Sequence, residues 1–341
     1  MVHGAARIRG QPRQSPADAG AVVGSGVGAV RPAAAELHVH LEGALTARRA
    51  LEFARRDERD DIPDGLVTET ERPHWEFDSL LSFLELFGWA TRLLRDAPSY
   101  AALLQDLLRS LDEQGILDAE VFVAVGQMHH LGIDPAQVLP ELGRVAREHA
   151  DRGGCRTWFI ADATRQWGVS AAERVLDTAL ELREHRIVGF GMGGDETALR
   201  AKDFRSLYRR ARENGLGTTC HAGEGTTASA VLEAVDELEI RRVGHGISAA
   251  EDADVMRQLA AGGIVLEVCP TSNRRTGAWD GRSRHPLFAL LEAGVPCILG
   301  SDDPAFFGCT LRSELFAIEQ DGLDHSQVEA MCARSLTCSF S

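Results

Sequence analysis

The sequence predicts the α/β class and, within it, a (β/α)8 barrel of the TIM type with a helical insertion after the first strand. Two observations carry this expectation. Short β-rich runs alternate strictly with helical patterns from residue 35 onward, which selects a parallel sheet. There are eight such units in roughly 300 residues, the count and size of a closed eight-stranded barrel. A doubly wound open sheet is the competing architecture, but no G-x-G-x-x-G follows the first run.

The chain has 341 residues and a formal net charge of −15. Residues 1–35 are rich in Ala, Gly and Pro and carry four Arg against one Asp, leaving −18 on the other 306 residues. The stretch Gly20–Val30 is too glycine-rich and too short for a secretory h-region. Residues 1–34 are therefore expected to be a disordered tail, or an over-extended start, and residues 35–341 one folded domain.

The expected strands are Glu36–Leu41, Ala119–Val125, Thr157–Ala161, Ile187–Met192, Gly217–His221, Arg242–Gly246, Ile264–Cys269 and Pro296–Ser301. Helical patterns fall between them, at Ala171–Glu184, Lys202–Asn214, Ala228–Leu238 and Glu251–Ala261. Asn214-Gly215 and Gly262-Gly263 supply stop signals. The interval Glu42–Asp118 is more than twice as long as the others and holds an apolar stripe of Leu80, Leu81, Phe83, Leu84, Leu86, Phe87 and Trp89. Such a stripe reads either as core packing or as a lid, because loops after barrel strands border the substrate pocket.

Composition excludes several classes. The excess of 51 acidic over 36 basic residues argues against a nucleic-acid binder. No run approaches the ~18 to 20 apolar residues of a membrane span. The seven cysteines are scattered and never in C-x-x-C spacing, so neither a disulfide framework nor a thiolate zinc site fits. A reducing cytoplasm is the natural setting, with a small molecule as partner; the sequence does not fix an oligomeric state.

Polar residues gather at strand ends. His38 and His40 are two apart on the first strand and share a face. His221 closes the fifth strand, His245 the sixth, and Asp302 and Asp303 the eighth. A barrel brings all of these to one rim, since each stands at a carboxyl end. Neutral imidazoles with one carboxylate suit a borderline cation such as Zn2+, with a position left for a water of lowered pKa. A further imidazole can take the water's proton, and Glu224, three residues past His221, can act as an acid. The chemistry expected is hydrolytic attack on an unsaturated carbon. Two-metal barrel hydrolases use a carboxylated lysine at the end of the fourth strand. Here that strand ends Gly191-Met192-Gly193-Gly194 and the only lysine is Lys202, so one metal is expected.

The set E-L-H-V-H-L-E-G, G-G-D-E, C-H-A-G-E, R-V-G-H-G, E-V-C-P-T-S-N-x-x-T-G-A-W and S-D-D-P resembles the adenosine/adenine deaminase family of the amidohydrolase superfamily, from about Ala35 to Phe340. The resemblance implies zinc-dependent hydrolytic removal of the 6-amino group of a purine. It assigns His38, His40, His221 and Asp302 as zinc ligands, Glu224 as the acid that protonates N1, and His245 as the base that orients the water. It places Asp303 at N7 and the backbone of Gly194 at N3. Relatives usually continue into a further helix beyond the last residues present here.

The substrate's sugar side gives mixed signals. Glu42 stands where adenosine deaminases usually have Asp, Thr276–Trp279 is nearer the nucleoside enzymes, and Ser301–Gly308 is nearer the adenine enzymes. Adenosine or deoxyadenosine is the expected substrate, with adenine or a 5′-modified adenosine such as aminodeoxyfutalosine as alternatives. Glu42 and the stripe from Leu80 to Trp89 are expected to wall the pocket away from the zinc. An inactive purine-binding relative is the non-enzyme alternative, but it should have lost a ligand or the acid, and none is missing.

Overall fold

The computed structural model describes residues 34–68 and 73–341. Residues 1–33, which carry the expected tail, lie outside the described residues.

Eight parallel strands follow one another around the sheet in chain order. They are β1 (Ala35–His40), β2 (Asp118–Val123), β3 (Arg156–Thr164), β4 (Ile187–Gly193), β5 (Gly217–Ala222), β6 (Arg242–His245), β7 (Val265–Val268) and β8 (Cys297–Leu299). The eighth strand returns to the first through a bridge between Val39 and Asp302. There His40 N–H donates to Asp302 O at 2.8 Å and Asp302 N–H donates to His38 O at 2.9 Å. The fold is thus a nearly closed (β/α)8 barrel, as the alternation predicts. Most expected boundaries move by one or two residues, and that of β3 moves furthest: it runs on to Thr164 instead of stopping at Ala161, so Asp162 is a strand residue.

Helices start where side chains can satisfy their first amides. Asp96, Asp134 and Asp252 each accept a backbone N–H at a helix start, and Pro135 occupies the first turn after Asp134. Between β6 and β7 the helix Ala253–Gly262 stops at Gly263, whose φ of 62° is the left-handed value that favours glycine. The expected helix Lys202–Asn214 divides into a 3-10 turn, Ala201–Phe204, and a helix, Arg205–Glu213. Among the described residues no helix is long and apolar enough to cross a membrane.

The long interval after β1 holds the helices Ala47–Arg56, Leu80–Thr91 and Ala97–Glu113, with a short antiparallel ladder of Leu66–Val67 and His74–Trp75. Ser79 caps Leu80–Thr91 by accepting from Ser82 N–H. Phe83, Leu86 and Trp89 of the stripe are buried, whereas Leu84 is 49% exposed; the Leu80 and Leu81 side chains lie outside the described residues. Burial on this scale contributes about 1.5–3 kcal/mol per large apolar side chain. The stripe packs against the residues that follow Asp303: Phe83 lies 5.7 Å from Phe306 and 5.1 Å from Phe307, and Trp75 stacks on Phe306 at 4.5 Å between ring centroids. The insertion is therefore tied into the core next to the site.

Candidate active site

The carboxyl ends of β1, β5 and β8 converge on four side chains. One atom from each of His38, His40, His221 and Asp302 falls within 4.8 Å of the others. His40 Nε2 lies 3.4 Å from Asp302 Oδ1 and 3.3 Å from His221 Nε2, and His38 Nε2 lies 3.7 Å from Asp302 Oδ1. His38 Nε2 is buried without a hydrogen-bond partner. An orphaned imidazole nitrogen costs free energy in a protein interior unless a ligand meets it. Burial, together with the neighbouring imidazoles, drives His221 well below the usual histidine range. In His40 burial outweighs the opposing pull of Asp302, and the pKa falls to about 4. Both rings are therefore neutral, the form that ligates metals. Three imidazoles and a carboxylate with converging lone pairs fit a single borderline cation.

Two of the three rings are held from behind. His38 Nδ1 donates to Glu267 Oε2 at 2.6 Å, and His221 Nδ1 donates to Met192 O at 3.2 Å. Glu267 in turn accepts from Arg242 Nε at 2.5 Å, and Arg242 Nη1 reaches Glu120 Oε2 at 2.5 Å. All three side chains are essentially fully buried. Burial raises a carboxyl's pKa, but the Arg242 charge and the His38 hydrogen bond outweigh it and hold Glu267 at about 2. Glu267 is thus anionic, which keeps the His38 proton on Nδ1 and the Nε2 lone pair turned to the cluster.

The groups expected to move protons stand beside this cluster. His245 Nε2 lies 3.5 Å from Glu224 Oε2 and 3.9 Å from Asp302 Oδ2. The Asn273 amide is 3.1 Å from His245 Nδ1 and fixes the ring. Thr276 Oγ1 donates to Glu224 Oε1 at 3.0 Å. Burial dominates at Glu224 and raises its pKa; at His245 burial lowers the pKa, but the carboxylates of Glu224 and Asp302 outweigh it and raise it. His245 and Asp302 both have φ of 59°, in the left-handed region that costs non-glycine residues about 1–3 kcal/mol each. Strain of this kind gathers where side-chain direction matters more than backbone comfort.

Asp303 is buried, its Oδ1 has no partner, and burial with the neighbouring acids pushes its pKa well up. Gly43 packs directly on it: a Cβ there would collide with Asp303 Oδ1 and lie 2.5 Å from its Cα. Glu42 is 1% exposed; Oε1 accepts from Ala124 N–H at 3.1 Å, and Oε2 has no partner. Burial raises its pKa to about 7. Gly194, at φ 96°, opens the exposed loop after β4 and is not drawn into the cluster of side chains.

A family model described as adenosine deaminase matches residues 33–341. The chain belongs to the adenosine deaminase family. Family members that it resembles include an adenine deaminase of Mesorhizobium japonicum, 32% identical over 310 residues that cover 91% of this chain and 94% of that protein. An adenine deaminase of Chelativorans sp. is also 32% identical over 310 residues, covering 90% and 93% respectively. Among solved structures, an adenine deaminase of Arthrobacter aurescens superposes with a TM-score of 0.82 at 30% identity, covering 91% of this chain and 94% of that one. An amidohydrolase of Burkholderia ambifaria with bound Zn superposes at 0.81 and 22% identity, covering 91% and 86%, a likeness of fold. Enzymes of the adenosine deaminase family are hydrolytic deaminases, and deaminases of the amidohydrolase type are metal-dependent.

Several residues that shape this deaminase site were not assigned a role from the sequence. Glu267, Asn273 and Thr276 all lie in or beside the E-V-C-P-T-S-N-x-x-T run, which names them without saying what they touch. Glu196, last of G-G-D-E, accepts from Gly223 N–H at 2.8 Å, from Glu224 N–H at 3.1 Å and from the Thr226 hydroxyl, clamping the loop that carries Glu224. Arg242 offers only the general signal that an arginine on a barrel strand needs a buried partner. The role of Glu267 gives a direct expectation. Glu267→Gln should weaken metal affinity by about 10- to 100-fold, the usual cost of losing the partner behind a ligating histidine. Competition against a chelating dye reads this, and unchanged affinity would free His38 from that control.

Proposed function

We propose that this chain hydrolyses adenine to hypoxanthine and ammonia, with one zinc held by His38, His40, His221 and Asp302. Free adenine thus moves ahead of adenosine, which the sequence put first. The relatives' names support this order, and so does the wall beside β1. Glu42, two residues past His40, is buried and pinned to Ala124 N–H, and the next residue, Gly43, packs on Asp303. That buried carboxyl is the observation that carries the reading, because Ala124 N–H already holds one of the oxygens that a ribose hydroxyl would need.

Zinc, when bound, would polarise a water and lower its pKa towards ~7. The chain's own groups supply the rest. His245 Nε2, facing the cluster, accepts the water's proton. The Glu224 carboxyl, whose protonated form burial favours, donates to N1, so that C6 can accept the attacking oxygen. His245 then passes its proton to the amino nitrogen, so that ammonia leaves, and the C6 hydroxyl proton returns to Glu224 as the carbonyl forms. Asp303, also held neutral by burial, donates to N7, and the Gly194 backbone meets N3. Thr276 and Glu196 keep Glu224 aimed, and Asn273 keeps His245 from rotating.

The test is product analysis. Zinc-loaded protein given adenine should release hypoxanthine and ammonia in a one-to-one ratio. Failure to form hypoxanthine from adenine, with inosine formed from adenosine, would restore the nucleoside reading.

A further inference from the structure

Asp162 belongs to none of the roles above. It lies on β3, paired in register with Gly191 of β4, and is 9% exposed. Its Oδ1 is buried without a hydrogen-bond partner. The β4 positions facing it carry no side chains. A methyl group at Gly191 would sit 3.1 Å from Asp162 Oδ1 and 2.9 Å from the Phe122 ring. One at Gly193 would sit 3.6 Å from Asp162 Oδ2 and 3.3 Å from His221 Nδ1. Phe122 itself packs against the rings of His38 and His40, 5.0 and 4.9 Å between centroids. The carboxyl therefore stands one glycine away from a metal-cluster histidine, on the strand beside the one that leads into Gly194.

An unpaired carboxyl in such a place is unfavourable without a ligand to meet it. Burial, with the nearby charge of Glu42, pushes the Asp162 carboxyl well above the usual carboxylate range, so it carries both an O–H donor and a carbonyl acceptor. A purine oriented with N1 at Glu224, N7 at Asp303 and N3 at Gly194 turns its N3–N9 edge towards this flank. In a free base that edge holds an acceptor, N3, beside a donor, N9–H. An N9-substituted purine lacks the donor.

We infer that Asp162 is a specificity-determining residue that reads the N3/N9–H edge of a free purine base, with the unpartnered oxygen of Glu42 as its neighbour. The inference deepens the adenine reading and rests on it. A site that hydrogen-bonds an N–H rejects the analogue without it, because its own buried group is then left unpaired.

The experiment compares adenine with 9-methyladenine, in the wild type and in Asp162→Ala and Asp162→Asn, each zinc-loaded and checked for metal content and melting temperature. The wild type should prefer adenine strongly. Asp162→Ala should lose roughly 10- to 100-fold in kcat/KM on adenine, mostly through KM, and change little on 9-methyladenine. Asp162→Asn should recover most of the loss, since an amide supplies the same donor and acceptor. Equal losses on both compounds, or none on adenine, would overturn the inference while leaving adenine deamination intact. If Asp162→Ala does not fold, the wild type still decides: equal turnover of adenine and 9-methyladenine refutes a reader of N9–H. A wild type inactive on adenine refutes the adenine reading and this one with it.

Discussion

Glu224→Gln is expected to lower kcat by a factor on the order of 10² to 10⁴, the usual cost of losing a general acid, while the protein folds and keeps its metal. The expectation rests on place and environment together. Glu224 Oε1 is tied to Thr276 Oγ1, which leaves Oε2 facing His245 beside the metal cluster. Burial is the largest influence on its carboxyl and favours the protonated form, the one able to donate to N1. Gln keeps the shape and can still accept from Thr276, but it cannot give up a proton. The metal should stay because Glu224 is not among the four clustered groups. Kinetics on adenine and zinc analysis of the same sample separate the two effects. Turnover within a factor of two of wild type would remove Glu224 from proton transfer.

His38→Ala should instead abolish turnover and metal binding together. The wild type is expected to hold about one zinc per chain. His38 Nε2 is the cluster atom that is buried without a hydrogen-bond partner, and the Arg242–Glu267 pair behind it serves to present that nitrogen. Its removal takes away one of the four clustered groups and leaves buried Glu267 without the ring it orients. Elemental analysis after dialysis checks this. A variant that retained zinc and rate would move the metal elsewhere, and two tightly bound metals per active chain would contradict the single-ion reading drawn from the absence of a lysine at the end of β4.

Much of this was legible in the sequence, for physical reasons. Strand ends of a barrel meet at one rim, so H-x-H, C-H-A-G-E, V-G-H-G and S-D-D-P place their own residues once the strands are counted. The partners behind them were not legible. Glu267 and His38 are 229 positions apart, and no periodicity links a carboxylate on one strand to a ring on another. Asp162 is hidden by local propensity: Asp is depleted in strands, so the expected strand stops at Ala161, yet the structure carries β3 to Thr164 and turns Asp162 towards the glycines of β4. The apolar stripe was ambiguous because burial against a core and burial against a pocket wall use the same residues. Phe83 is buried against Phe306 and Phe307, just after Asp303, which is core packing beside the site.

The central claim is that the site is built for a free base, and the ratio of kcat/KM for adenine to that for adenosine tests it most directly. Both can be followed with the zinc-loaded wild type by the loss of adenine absorbance in the ultraviolet. The buried carboxyls of Glu42, Asp162 and Asp303, each with an oxygen that has no partner, predict a ratio of at least about 100, the scale on which an unpaired buried polar group discriminates. A ratio near one, or in favour of adenosine, would contradict it.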